Sequence, residues 1–260
     1  MAIETYAVYA LRYAQRPGAT RAENFYRGDP CGTDPMPMDY FTWIAVGQQT
    51  SVMIDAGFTA PTAARRDREY LEDPAVTMNQ LGIDPGSIEQ LVITHMHYDH
   101  TGHISNFPDA RVLIQQPEFD FWTSEIAGRG ELPALTEPDD IAHISDGRAR
   151  GRVQMMTGDY EVLPGITAHH VGGHTPGMQI VRINTQRGHV VLASDASHFY
   201  ENIETDRPFS IVDTLPRMYR AFDRIRELAD DDSLIVAGHD PLVRERFEAV
   251  PGVPQATQIA

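Results

Sequence analysis

Leu91-Val92-Ile93-Thr94-His95-Met96-His97-Tyr98-Asp99-His100 is the stretch on which the reading of this chain turns. An apolar strand runs straight into four side chains able to hold a metal. Alternate residues of an extended chain point the same way, so His95 and His97 share one side and can share one metal. Asp99 and His100 follow where the chain turns and can reach a second metal close by. Imidazole and carboxylate together suit zinc, and also iron or manganese. A lone histidine at a strand end is ordinarily a surface residue. Four possible ligands packed this densely mark a site.

A two-metal site needs more ligands, and three later loops offer one each. Gly172-Gly173-His174-Thr175-Pro176-Gly177 is a glycine-flanked turn after a strand. Ser194-Asp195-Ala196 follows the apolar run 190–193, and Gly238-His239-Asp240 follows the apolar run 234–237. Strand ends hold side chains rigidly, which is why sites collect there.

Runs rich in Val, Ile and aromatics, bounded by turn residues, predict strands over 6–11, 40–46, 51–54, 90–93, 111–114, 153–156, 166–169, 178–183, 189–193 and 233–237. A helix is expected over 117–126, with Pro117 in its first turn. Another is expected over 213–228, where Leu215, Met218, Tyr219, Phe222, Ile225 and Leu228 form one apolar stripe. Segment 129–145 reads as an excursion, either a cap over a pocket or a surface loop. The tail 251–260 lacks periodicity and is expected to fray. Strands in runs, then a helix, then both again, suggest an α/β fold: two mixed sheets packed together with helices outside, in one domain over 1–260.

Composition narrows the function. The formal net charge of −16 disfavours nucleic acid and anionic membranes, both of which bind clustered Lys and Arg. No apolar run approaches the roughly 20 residues that cross a bilayer. Residues 1–15 show no basic stretch leading into an apolar one, so a cytoplasmic location is expected. The single cysteine, Cys31, excludes a disulfide within the chain and a cysteine-rich zinc site, and reads as a loop thiol. His103 is a candidate to support a ligand. His143, His169, His170 and His189 read as ordinary strand and loop residues. Met36, Met38, Phe41, Phe107, Phe121 and Trp122 could line an apolar pocket or simply pack.

Thr94-His95-Met96-His97-Tyr98-Asp99-His100 resembles the HxHxDH signature of the metallo-β-lactamase superfamily, an αββα sandwich. The resemblance implies that His95, His97 and His174 hold a first metal. It gives Asp99, His100 and His239 to a second, with Asp195 bridging. Ser51-Val52-Met53-Ile54-Asp55-Ala56-Gly57 looks like the family's early strand, with Asp55 orienting a ligand. Within the superfamily the chain is most similar to the quorum-quenching N-acyl homoserine lactonases. That likeness includes 9–13, Met36-Pro37-Met38-Asp39-Tyr40-Phe41 and Asp195-Ala196-Ser197-His198-Phe199-Tyr200-Glu201-Asn202. That group usually carries Tyr three residues after the bridging Asp, touching the substrate carbonyl. Here the position is His198, with Tyr200 two residues on, and both are candidate catalytic residues.

Two divalent metals, zinc by default, can share one water and lower its pKa from 15.7 toward neutrality. The bridging hydroxide would attack a small-molecule lactone or ester, with Asp99 moving the proton to the leaving alkoxide. No serine nucleophile elbow is present. The alternative is another acyl hydrolase of the same fold, a thioesterase of glyoxalase-II type or a cyclic-amide hydrolase. A phosphodiesterase acting on nucleic acid is disfavoured by charge. A metal-binding or redox scaffold without catalysis is disfavoured by the full ligand set.

Overall fold

A computed structural model describes residues 4–260; residues 1–3, the start of the N-terminal stretch read above, lie outside the described residues. Seven strands come first: β1 (Ala7–Arg16), β2 (Met38–Val46), β3 (Ser51–Ile54), β4 (Glu69–Tyr70), β5 (Gln90–Val92), β6 (Arg111–Gln115) and β7 (Val153–Met156). Next are β8 (Tyr160–Leu163), β9 (Ile166–His170), β10 (Gln179–Thr185), β11 (Gly188–Ser194) and β12 (Ile235–Ala237). Last are β13 (Glu248–Ala249) and β14 (Ala256–Gln258). They form two mixed sheets. One runs β13-β14-β1-β2-β3-β5-β6-β7, with β4 on β1; the other runs β12-β11-β10-β9-β8.

Alternation along each strand builds the layers. Val52 and Ile54 of β3 pack between the sheets with Trp43, Val92, Leu113, Val181, Leu192 and Val236. Met53, between them in sequence, faces outward with Leu91, Val112 and Ile114. Helices Pro74–Gln80, Gln116–Trp122 and Pro138–Ala149 cover that outer face through Met78, Phe119, Trp122 and Ile144. Helix Leu215–Leu228 covers the other sheet, with Met218, Phe222 and Ile225 on Ile180, Val191 and Ala193. The result is the expected αββα sandwich. Tyr219, assigned to the buried stripe by spacing, is 42% exposed. No helix among the described residues is long and apolar enough to cross a membrane.

Two expectations need correction. The tail does not fray: β14 pairs with β1, joining Leu11 to Ala256 and Tyr9 to Gln258, and Ile259 is fully buried. Backbone pairing satisfies the β1 edge whatever the side chains are, and three residues are too few to display alternation. Of the two readings of segment 129–145 the loop is the one that fails, while Leu132, Ala134 and Leu135 do line clefts, as a cap would. The segment holds a 3-10 turn, Leu132–Leu135, and most of helix Pro138–Ala149. Its acids and its second proline are helix-start signals: Pro138 opens the helix, and Asp139 and Asp140 sit in its positive first turn. Only Ile144 of that helix is buried, so no stripe announced it.

Asp140 ties this helix to the metal motif, accepting from the Thr101 hydroxyl at 2.9 Å. Burial pushes its carboxyl up to about 6, against the pull of the Thr101 bond and helped by Glu137 and Asp139. The folded state therefore keeps a proton that the unfolded chain has already lost, and stability falls as pH rises from about 4 to about 6. The full shift is worth about 3 kcal/mol, and solvent at this half-buried group cuts that to about 1–2. Asp140→Asn should be more stable than the parent by that amount at pH 8 and nearly equal at pH 4. Urea midpoints at the two pH values check this; an equal difference at both would remove the titration.

Candidate metal centre

The C-terminal ends of β3, β5, β11 and β12 open on one edge of the sandwich, and so does the turn between β9 and β10. From them come two groups of side chains, each able to converge on one ion: His95, His97, His174 and Asp195; and Asp99, His100, Asp195 and His239. Every member is buried. Asp195 belongs to both, and its two oxygens divide between them. Oδ2 lies 3.7 Å from His95 Nε2 and 3.4 Å from His174 Nε2. Oδ1 lies 3.0 Å from His239 Nε2 and 3.4 Å from His100 Nε2. Asp99 completes the second group, 3.6 Å from His100 Nε2 and 3.7 Å from His239 Nε2. Ligands around a tetrahedral ion at about 2.1 Å stand about 3.4 Å apart, so these spacings fit.

The rings are aimed from behind. Asp55 Oδ2 lies 2.8 Å from His100 Nδ1, and the Ile211 and Asp39 carbonyls accept from the Nδ1 of His174 and His239, each at 2.9 Å. That leaves each Nε2 facing the centre. His97 is turned the other way round, its Nδ1 2.9 Å from His174 Nε2. The Nε2 atoms of His95 and His100 are buried with no hydrogen-bond partner. A buried polar atom without a partner is costly, and a cation beside Asp195 would satisfy both. The residues therefore fit two divalent metals.

Electrostatics agree. Burial drives His95 and His97 down and His174 down to about 3, which keeps these imidazoles neutral and able to ligate. Burial also opposes charge on His100 and His239. Their carboxylate neighbours outweigh it, Asp55, Asp195 and Asp99 for His100 and Asp195 and Asp99 for His239, so both shift upward. Asp55 also accepts from the Thr94 amide at 2.7 Å and hydroxyl at 2.8 Å. It sits at φ +60°, a left-handed conformation that an aspartate tolerates better than most residues.

Glu118 was not singled out from sequence, where it looked like a first-turn glutamate of an ordinary helix. It is fully buried and accepts four bonds. Oε1 takes the Met96 amide at 2.8 Å and the Trp122 indole at 2.7 Å. Oε2 takes the Thr175 hydroxyl at 2.7 Å and the Gly177 amide at 2.8 Å. Burial pushes this carboxyl up, against the pull of those four donors. It thereby clamps the His95–His97 segment to the His174 loop. Gly177 has to be glycine: a Cβ would lie 2.4 Å from the Glu118 backbone nitrogen. Glu118→Gln turns an N–H₂ toward donors on one side and should cost about 2–3 kcal/mol. It should also weaken metal affinity about 10–100-fold. Denaturant midpoints and a metal-chelator competition measure the two; unchanged values in both would mean that the clamp is idle.

The other candidates separate. His198 reaches the centre: its Nε2 lies 2.9 Å from Asp195 Oδ2, and its ring stacks on Phe209 with centroids 3.5 Å apart. Burial shifts it downward, and Nδ1 is buried without a partner. Tyr200 does not reach it, which corrects its place among the catalytic candidates. Its ring packs in the core between the sheets under the Arg246 guanidinium, 3.6 Å from the ring centroid, and lines cavities with Glu204 rather than with the ligands. The helix Tyr200–Glu204 starts there and turns the chain away from Asp195. His103 contacts the Tyr70 hydroxyl at 3.1 Å instead of a ligand. Phe41 and Phe107 are core residues. Met38 lines a cleft of about 210 Å³ that opens on His97, Asp99, Asp195 and His198. Phe121 and Trp122 line a smaller neighbour beside His97 and His174. Cys31 is exposed.

Known proteins bear on this geometry. The N-acyl homoserine lactonase of Bacillus cereus is 30% identical over 174 residues, 65% of this chain and 63% of that protein. The N-acyl homoserine lactonase AttM of Azorhizobium caulinodans is 30% identical over 187 residues, covering 66% of this chain and 65% of that one. The chain thus spans a little under two thirds of the length of these curated relatives. A solved quorum-quenching N-acyl homoserine lactone lactonase superposes with a TM-score of 0.76 at 20% identity, covering 96% of this chain and 98% of that one. AidC, a dizinc quorum-quenching lactonase in complex with a product, gives a TM-score of 0.72 at 15% identity over 93% and 90% of the two chains. At such identities these structures speak for the fold alone, which is the αββα sandwich described above. A sequence model of the metallo-beta-lactamase superfamily matches residues 37–239, a span that begins just before β2 and ends on the ligand His239. With fold, ligand order and sequence in agreement, the chain belongs to the metallo-beta-lactamase superfamily.

Proposed function

We propose that the protein is a two-metal hydrolase that opens a lactone, an N-acyl homoserine lactone-like cyclic ester, to its hydroxy acid. The observation that carries this reading is Asp195, whose two oxygens serve two ligand groups at the floor of an open cleft. We assign His95, His97 and His174 to one cation, Asp99, His100 and His239 to the other, and Asp195 to both. Zinc is the cation we propose, from the histidine and carboxylate donors. Bound there, two dications would lower the pKa of a shared water and draw charge from a carbonyl oxygen.

The chain's own groups do the rest. Asp99 is a ligand that also lines the cleft, so its carboxylate can take a proton there and pass it to the leaving alkoxide. Tyr13 fixes that residue from behind, donating to the Asp99 carbonyl at 2.8 Å. His198 we assign to positioning: with Nε2 on Asp195, it holds that carboxylate rather than substrate. Thr94 and Asp55 keep the ligand rings in place from beneath. The test is a panel of lactones, thioesters and cyclic amides offered to protein loaded with zinc, with ring opening followed by proton release. Lactone turnover with two zinc equivalents per chain is the expected result. Thioester turnover without lactone turnover would replace it with the glyoxalase-II-like reading.

A further inference from the structure

The cleft over the ligands has a wall the metals do not need. Three arginines line it, Arg16, Arg66 and Arg68. The same lining carries three carboxylates, Glu23, Asp99 and Asp195, so what matters is which arginine has an acid partner. Two of the three arginines are already answered by the protein. Arg16 pairs with Glu23. Arg66 pairs with Glu137 at 2.8 Å and lies over the Tyr98 ring, 3.8 Å from its centroid.

Arg68 is not answered. Among the described residues no carboxylate lies within 4.0 Å of it. One terminal nitrogen donates to the Arg66 carbonyl at 2.6 Å and to the Asp67 carbonyl at 3.3 Å. Its Nε is buried with no partner at all. The neighbours it does face are the hydroxyls of Tyr40 and Tyr98, themselves 3.5 Å apart. Both tyrosines line the same cleft. One guanidinium and two phenols therefore meet there; the phenol oxygens can accept from the guanidinium, but no carboxylate among the described residues answers its charge. An orphaned N–H on a half-buried cation costs stability unless something supplies oxygen. Met38, Leu135, Phe209 and Ile211 line the cleft as well, and of its three arginines Arg16 and Arg66 already carry acid partners, so Arg68 is the cation left for a ligand.

We infer that the substrate carries a carboxylate away from its reacting carbonyl, and that Arg68 with the Tyr40 and Tyr98 hydroxyls holds it. The planar fork of arginine matches a planar carboxylate with two parallel bonds. The inference rests on the lactone reading and narrows it, from a neutral acyl lactone to an anionic one. Arg68 then sets specificity rather than chemistry.

The probes are two homoserine lactones of equal acyl length, N-glutaryl with a terminal carboxylate and N-pentanoyl without. On zinc-loaded protein the glutaryl lactone should show at least a 10-fold higher kcat/KM, mostly through KM. Arg68→Met should collapse that ratio toward one, and Arg68→Lys should restore part of it. The ratio does not depend on the folded fraction, so a poorly folding variant cannot imitate the result. Equal kcat/KM for the two lactones in the parent, or a ratio unchanged in Arg68→Met, would overturn the subsite while leaving lactone hydrolysis intact. If neither lactone is opened, calorimetry with the same pair decides. Arg68-dependent tighter binding of the glutaryl compound upholds the subsite and removes the lactone reading. Equal or absent binding removes both.

Discussion

Asp195→Asn should leave the protein with one metal equivalent instead of two. The substitution keeps the volume and one carbonyl oxygen, but it puts an N–H₂ where the other oxygen stood. In the parent, Oδ2 serves His95 and His174 while Oδ1 serves His100 and His239. An amide can accept on one side only, so one group keeps its carboxyl-type ligand and the other faces a donor. The loss of a whole cation removes several kcal/mol of transition-state stabilisation. About 4 kcal/mol corresponds to roughly three decades in kcat/KM. Elemental analysis after zinc saturation, together with lactone kinetics, reads both effects. Two retained equivalents at a near-parental rate would show that Asp195 does not join the two sites.

Asp99→Asn is expected to act differently. Its amide oxygen can still ligate, so both cations should remain. What disappears is a carboxylate that can take a proton in the cleft. The expected loss is about 10²–10⁴ in kcat, the usual range for acid–base assistance, with KM little changed. Comparing the two variants separates holding a metal from moving a proton. A metal-replete Asp99→Asn with parental kcat would assign Asp99 to binding alone.

The fold and the side chains that gather into two possible metal groups were legible because both are written in short-range patterns. Val- and Ile-rich runs bounded by turn residues marked 51–54 and 111–114 as strands; which face each residue takes, Val52 and Ile54 between the sheets and Met53 under helices, came only with the structure. The seven candidate ligands all follow an apolar strand or sit in a glycine turn, a local signal. What escaped is defined by distance in space instead. Glu118 gains its meaning from Met96, Thr175 and Gly177, which no periodicity connects to it. Arg68 sits two residues from Arg66 in sequence, yet only the fold shows that Arg66 has an acid partner while Arg68, among the described residues, has none. The strand Ala256–Gln258 exists because β1 needed an edge partner, not because its own side chains demanded it. Tyr200 was misplaced for the opposite reason: closeness in sequence to Asp195 stood in for closeness in space.

The two candidate ligand groups draw on both layers of the sandwich. His95, His97, Asp99 and His100 follow β5 of one sheet, while His174, Asp195 and His239 follow β9, β11 and β12 of the other. Asp55, at the end of β3, reaches across as well, with the Ser194 hydroxyl 3.4 Å from its carboxylate. Cations here therefore rivet one half of the molecule to the other, and loading and folding become a single linked equilibrium. Free metal at about 100 times its dissociation constant adds roughly 2.7 kcal/mol to the stability of the whole sandwich. Shortage of metal would then cost more than turnover: a larger unfolded fraction would be open to proteases.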